Sequence, residues 1–170
     1  MKLTFDSPLR PVDRSALEKA RALAETSPRH RGMVRYHEHE ERIQRMINVL
    51  RPESYVRPHR HAEPAKTEIF VILAGRAHVV RLDDEGMPVE KVTMVAGQGC
   101  WGVEIAPGTW HTVVPGPEGA ALYEIIEGPF DARTHKEYLA GTPDEGSTAG
   151  LTRLEAWRNW CEEASYPQKL

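Results

Sequence analysis

The stretch S54-Y-V-R-P-H-R-H61, followed after a short connection by E68-I-F-V-I-L-A-G75, decides how the chain reads. Alternate residues of a strand share a face, so His59 and His61 point the same way and offer two neighbouring imidazoles to one ion. Glu68 opens the next apolar run and returns beside them. Further on, A106-P-G-T-W-H111 sets a Pro-Gly turn before a histidine that enters another strand. Three imidazoles and a carboxylate suit one divalent first-row cation (Zn, Fe, Ni, Mn or Co) and leave one or two positions for water or substrate.

The pattern around these residues is that of short strands. From Gln44 to Glu127, apolar runs rich in Val and Ile alternate with Gly and Pro: Q44–L50, S54–H61, E68–L73, A77–L82, V89–V95, G102–I105, T112–V114 and A121–E127. D83-D-E-G86 is a hairpin turn signal. Strands this short, with no helix between them, predict an antiparallel barrel or sandwich. Two helices flank it. S15-A-L-E18 has the form of a capping box opening a helix over 16–25, with Leu17, Ala20 and Ala24 on one face. T152-R-L-E155 opens another, with Leu151, Leu154, Trp157 and Cys161 in a stripe and Trp160 beside it. Residues 28–41 are polar and rich in Arg and His, and read as a loop or a frayed second helix.

H59-x-H61, Glu68, Gly75 and P107-G-x-x-H111 resemble the two sequence motifs of the cupin superfamily. That resemblance implies a single antiparallel cupin barrel with His59, His61, Glu68 and His111 as metal ligands. The six residues between His61 and Glu68 make a longer gap than the general pattern has, and Pro115 stands where that pattern ends in Asn. Q44-R-M-I-N48, S54–H61, K66-T-E-I-F70, V103–T112 and G128-P-F-D131 together resemble the WbuC family of cupin-fold metalloproteins, over about Arg35 to Ser147. That family is often encoded among bacterial surface-polysaccharide genes, and its activity is unassigned. The expected organisation is an N-terminal helix and arm over 1–42, a cupin barrel over 43–130 and a C-terminal extension with a helix over 131–170.

Candidate ligand-binding residues follow from strand parity. Arg57 has the parity of His59 and His61, so its guanidinium either faces the cavity, where it would hold a carboxylate or phosphate, or sits on the rim beside Pro58. Gln44 and Asn48 share one face of their strand and Arg45 the other, and either face can be the one turned inward. Glu104, Tyr123 and Glu124 read as solvated strand residues or, failing that, as further pocket candidates. His37 and His39, in R35-Y-H-E-H-E-E41, read as surface or mouth residues, and His30, His78 and His135 as structural. Trp110 and Trp101 read as packing residues.

Composition excludes several classes. Among 170 residues, 40% are hydrophobic and 28% charged, and the net charge of -3 gives no basic footprint for nucleic acid. The N-terminal M1–P11 lacks the apolar run of a secretory signal, and no segment approaches a membrane span. Two separated cysteines, Cys100 and Cys161, are no disulfide framework and point to a reducing cytoplasm. The expected function is a metal-dependent enzyme, an isomerase or epimerase, on a small anionic or sugar-derived ligand, with a homodimer as its form. The alternatives are a Fe(II) dioxygenase, a metal-dependent binding or sensing protein without catalysis, and a purely structural metal whose shell the four ligands close.

Overall fold

Helix α1 runs over Arg14–Thr26 and is capped by Asp13, whose Oδ1 accepts from the Ala16 amide at 3.0 Å. Ser15, the expected cap, instead donates its hydroxyl to Asp13. A carboxylate at this position accepts from the free first-turn amides and complements the helix dipole, so it outcompetes a hydroxyl two residues on. The computed structural model describes residues 1–163, and the last seven residues of the 131–170 extension lie outside it.

Ala16, Ala20 and Ala24 form the buried face of α1, and it packs on strand β1 (Arg31–Arg35). The polar segment 28–41 is therefore not a second helix: it carries this strand at its centre, with turns and irregular backbone on either side. Gly32, Val34 and Tyr36 alternate inward against α1, while the odd-numbered residues turn the other way. A Cβ on Gly32 would lie 2.1 Å from the Ala20 carbonyl oxygen, so helix and strand meet here backbone to backbone.

β1 pairs antiparallel with β2 (Ile43–Leu50), and β2 pairs with the second half of β7 (His111–Glu127). The long strand β4 (Glu68–Leu82) lies along the other edge of β7, and β5 (Pro88–Val95) and β6 (Gly102–Ile105) pair with its two halves. The expected pairs E68–L73 with A77–L82, and T112–V114 with A121–E127, are thus each one bent strand. Gly75 makes one of the bends: its φ is +72, and a Cβ there would meet the Gly119 carbonyl oxygen at 2.3 Å. The β4–β5 hairpin turns at Asp83–Gly86, where Asp83 Oδ1 accepts from the amides of Glu85 and Met87.

S54–H61 is extended only at its end. Strand β3 is His59–Arg60, pairing with β7 on one side and with β8 (Glu137–Tyr138) on the other. Helix α2 (Thr148–Glu163) begins one turn before the expected capping box, because the Ser147 hydroxyl accepts from the Gly150 amide. Leu154, Trp157 and Cys161 bury against Tyr55, Val80, Trp110 and Val114, with Trp160 packed beside them. Leu151 stays exposed. Trp110 packs as expected and donates Nε1–H to Asp84, whereas Trp101 is 67% exposed. No described helix is long and apolar enough to cross a membrane.

Candidate metal centre and its cavity

The register of β4 on β7 shows how the sheet closes. Glu68 pairs with Ile126, and Arg81 with His111, at opposite ends of the same ladder. Flat, those ends would lie roughly 50 Å apart at about 3.3 Å per residue. Yet Glu68 Oε2 is 3.0 Å from His111 Nε2, so the strands curl until their ends meet. β3 then lies beside His111: His59 is its direct partner, with ring centroids 4.4 Å apart, and His61 follows on the same face. Arg60, between them, points outward to Glu137 and the Trp110 ring.

The connection from His61 to Glu68 is fastened at several points. Lys66 Nζ donates to the Pro129 carbonyl, the Thr67 amide to Glu127, and the Gly108 amide to the His61 carbonyl. These bonds accommodate the six-residue gap without displacing the carboxylate.

His59, His61, Glu68 and His111 are each buried, and one ligand atom from each lies within 4.8 Å of the others. Each imidazole is oriented by its far nitrogen. Nδ1 of His59 meets the Arg57 carbonyl at 2.8 Å, Nδ1 of His111 the Thr109 carbonyl at 2.9 Å, and Nδ1 of His61 the His135 carbonyl. A carbonyl only accepts, so each Nδ1 carries the proton and each Nε2 presents a lone pair. Those three Nε2 atoms and Glu68 Oε2 are buried without a hydrogen-bond partner. Converging lone pairs repel unless a cation lies between them, and the mix of imidazole and carboxylate fits a divalent transition metal.

The electrostatics agree. Burial, and then the charges of Lys136 and His111, hold the His59 imidazole well below its ordinary range, which keeps it neutral as a ligand must be. Burial works to raise the Glu68 carboxyl, but hydrogen bonds and charge from the His111 and His61 rings outweigh it and hold Glu68 well below the usual carboxylate range while those rings carry an Nε2 proton; between neutral rings a cation takes that part. Glu124 behaves oppositely. Burial, then the Glu68 charge, pushes it up to about 8, so it stays protonated at neutral pH and bonds to Glu68. Asn48 Nδ2 donates to Glu124 Oε2 from the other side.

The centre opens into a cavity of about 360 Å³. Of the ligand-binding candidates, Asn48 and Gln44 line it. Gln44 spends its amide on the carbonyls of Glu38, His39 and Glu41, so it ties down the neighbouring loop. Three candidates lie elsewhere, the first being Glu104, exposed on β6 and outside the cavity lining. Tyr123 turns to the opposite face, edge-on to Tyr36 in the layer beneath α1, while its neighbour Glu124 takes the inward position. Arg57 precedes β3 in backbone that is not a strand, so parity does not carry to it. Its guanidinium binds Thr142 and Asp144 and lies over the Tyr138 ring, outside the cavity lining.

The sequence reads His37 and His39 as surface or mouth residues and His135 as structural, and does not single out Lys136. His37 is 1% exposed and lines the cavity together with His39, His135 and Lys136. His135 packs its ring on His61 and Phe130, and burial pushes its imidazole down to about 3. No pairing pattern marks His135 or Lys136 in the sequence. His37 was legible in principle, through the alternation of Gly32, Val34 and Tyr36.

Residues 12–94, just under half of the chain, match the model of a domain of unknown function, DUF6016. Comparison with curated proteins gives no match. Among solved structures, the chain is similar to CapF with the inhibitor 3-isopropenyl-tropolone, at 16% identity and TM-score 0.56 over 67% of this chain and 32% of that one. It is also similar to the capsular polysaccharide assembling protein CapF from Staphylococcus aureus, at 19% identity and TM-score 0.52 over 64% and 29%. A cupin superfamily protein from Desulfitobacterium hafniense aligns at 14% identity and TM-score 0.45 over 57% and 76%. The chain spans about a third of the length of the CapF chains it matches. At these identities the likeness is one of fold: an antiparallel cupin β-barrel with a helix at each end.

Proposed function

We propose that the chain is a metal-dependent cupin enzyme that binds one divalent transition metal through His59, His61, Glu68 and His111 and acts on a small, polar, anionic, sugar-like molecule. One observation carries this reading. Three buried Nε2 lone pairs and Glu68 Oε2 converge, each imidazole steered by a main-chain carbonyl, at one end of a cavity with cationic walls. When bound, such an ion polarises a substrate oxygen and stabilises developing negative charge on it.

The protein's own groups supply the rest. Arg31, Arg35 and Lys136 line the cavity and favour an anion there. Glu124, held between Asn48 and Glu68, and Lys136 are titratable groups that line the cavity beside the centre and are placed to exchange a proton with a ligand oxygen. An isomerase or epimerase needs such a pair, one group to remove a proton and one to return it. The resemblance to WbuC proteins supports a place in surface-polysaccharide metabolism; a homodimer in the cytoplasm is the form proposed for it. Both cysteines are free thiols, as a reducing compartment expects.

Elemental analysis of the purified protein, beside His59→Ala and His111→Ala, tests the centre. The expected result is about one transition metal ion per wild-type chain and at least a tenfold loss in each variant. Wild-type protein without metal after supplementation, or variants that keep it, would overturn the reading. Monitoring sugar phosphates and uronates by NMR with the metal-loaded protein separates enzyme from binder: ligand captured but never converted assigns a binding protein.

A further inference from the structure

Every odd-numbered residue from 29 to 39 lines the cavity: Arg29, Arg31, Met33, Arg35, His37 and His39. β1 makes this possible. Its even-numbered residues are consumed against α1, so the opposite face is free to turn toward the metal end. The ladder connects to the centre through β2, since Met33 pairs with Asn48 and Asn48 bonds Glu124, which bonds Glu68. Three guanidinium groups along one wall are costly unless something compensates them. Glu145 does so in part: it ion-pairs with Arg31 and Arg29 and is itself held by the Arg57 amide. Arg35 makes no ion pair among the described residues. The carboxylate Glu38, close enough to feel its charge, is already engaged by Lys2.

Resting on the reading of the cavity as a ligand site, we infer that the β1 ladder is an anion subsite, with Arg35 as its principal donor and Arg31 as its pinned second. It binds the charged end of a monosaccharide-sized ligand whose neutral oxygens lie toward the metal centre. Two facts set the class. A guanidinium presents paired N–H donors that match the oxygens of a phosphate or carboxylate. A cavity of about 360 Å³ is near the small end of the roughly 300–1,000 Å³ of ligand sites, which admits one sugar unit and excludes an oligomer.

The test uses glucose 6-phosphate, glucuronate and glucose as probes, titrated calorimetrically into the full-length metal-loaded protein in phosphate-free buffer. At least one anionic probe is expected to bind about tenfold or more tighter than glucose, and which one does so distinguishes phosphate from carboxylate. Arg35→Gln should remove most of that preference while leaving metal content unchanged. Arg35→Lys, which keeps the charge, should restore part of it and so separates lost charge from lost fold. Repeating the titration after chelation isolates the ladder. Anion preference that survives chelation supports the subsite even if the metal reading fails. The inference is overturned if neither anion outbinds glucose, or if Arg35→Gln keeps the full preference.

Discussion

His78 shows how burial, ahead of any neighbouring charge, sets a side chain's chemistry. It sits on the outer face of the β4–β5 hairpin, 5% exposed, with Nδ1 at 2.9 Å from the Thr93 hydroxyl. Burial, reinforced by the nearby charge of Lys91, lowers its imidazole to about 4. Unfolded, it would protonate near 6.5. Between those values the unfolded chain binds a proton that the folded chain refuses, so stability falls as pH drops from about 6.5 toward 4 and is whole above 6.5. The loss at the acid end is on the order of 3 kcal/mol. Urea midpoints measured from pH 4 to 7 should show that decline, and His78→Gln should flatten this part of it. An unchanged slope in the variant would mean that other groups govern acid stability.

At the scale of elements, the contact of α1 with β1 holds one wall of the cavity. Gly32 stands where a Cβ would lie 2.1 Å from the Ala20 carbonyl oxygen and 2.5 Å from the Ala24 nitrogen. Both obstacles are backbone, so Gly32→Ala must move the helix off the strand. Overpacking of this kind costs about 1–3 kcal/mol, which is a fall in Tm of roughly 2–12 °C for a chain of this size. Because the odd-numbered face of β1 carries Arg31 and Arg35, the same substitution should also weaken binding of an anionic sugar probe, read by calorimetry. Normal Tm and normal binding would show that the packing is looser than described. The same element marks where the sequence misleads. Strands with frequent Val and Ile, such as 68–73 and 121–127, are legible because their alternation is apolar. β1 buries only Gly32 and Val34, with Tyr36 just after it, and its other face is charged, so its period is hidden among Arg and His. Conversely, S54–Y55–V56 looks like a strand and is not one. For that reason Arg57, placed by parity beside His59, turns away to Asp144. His59, His61, Glu68 and His111 survive because residue type and spacing, rather than parity over a long run, identify them.

At the scale of the whole molecule, most of the stabilising core lies away from the proposed metal centre. Three apolar clusters hold the fold: one inside the barrel around Phe70, Met94 and Leu122, one between the sheet and α1, and one between the sheet and α2. Two of them lie between the sheet and its helices, away from the cavity, and only the inner one meets it, through Phe70 and Leu122 among others, so most burial of apolar surface does not depend on the ion. This distinguishes the barrel from small domains in which a zinc ion replaces a core and removal of the metal unfolds the chain. Chelation should therefore leave far-UV and near-UV circular dichroism essentially intact. It should nonetheless lower Tm, because the ion binds only the folded chain and stabilises it by mass action, by about 2.7 kcal/mol when free metal is a hundred times its dissociation constant. The drop should depend on metal concentration and vanish in His59→Ala, which no longer gains from added metal. Loss of the near-UV signal on chelation would instead make the ion a structural one, and the cavity beside it would lose its claim to be where the chemistry happens.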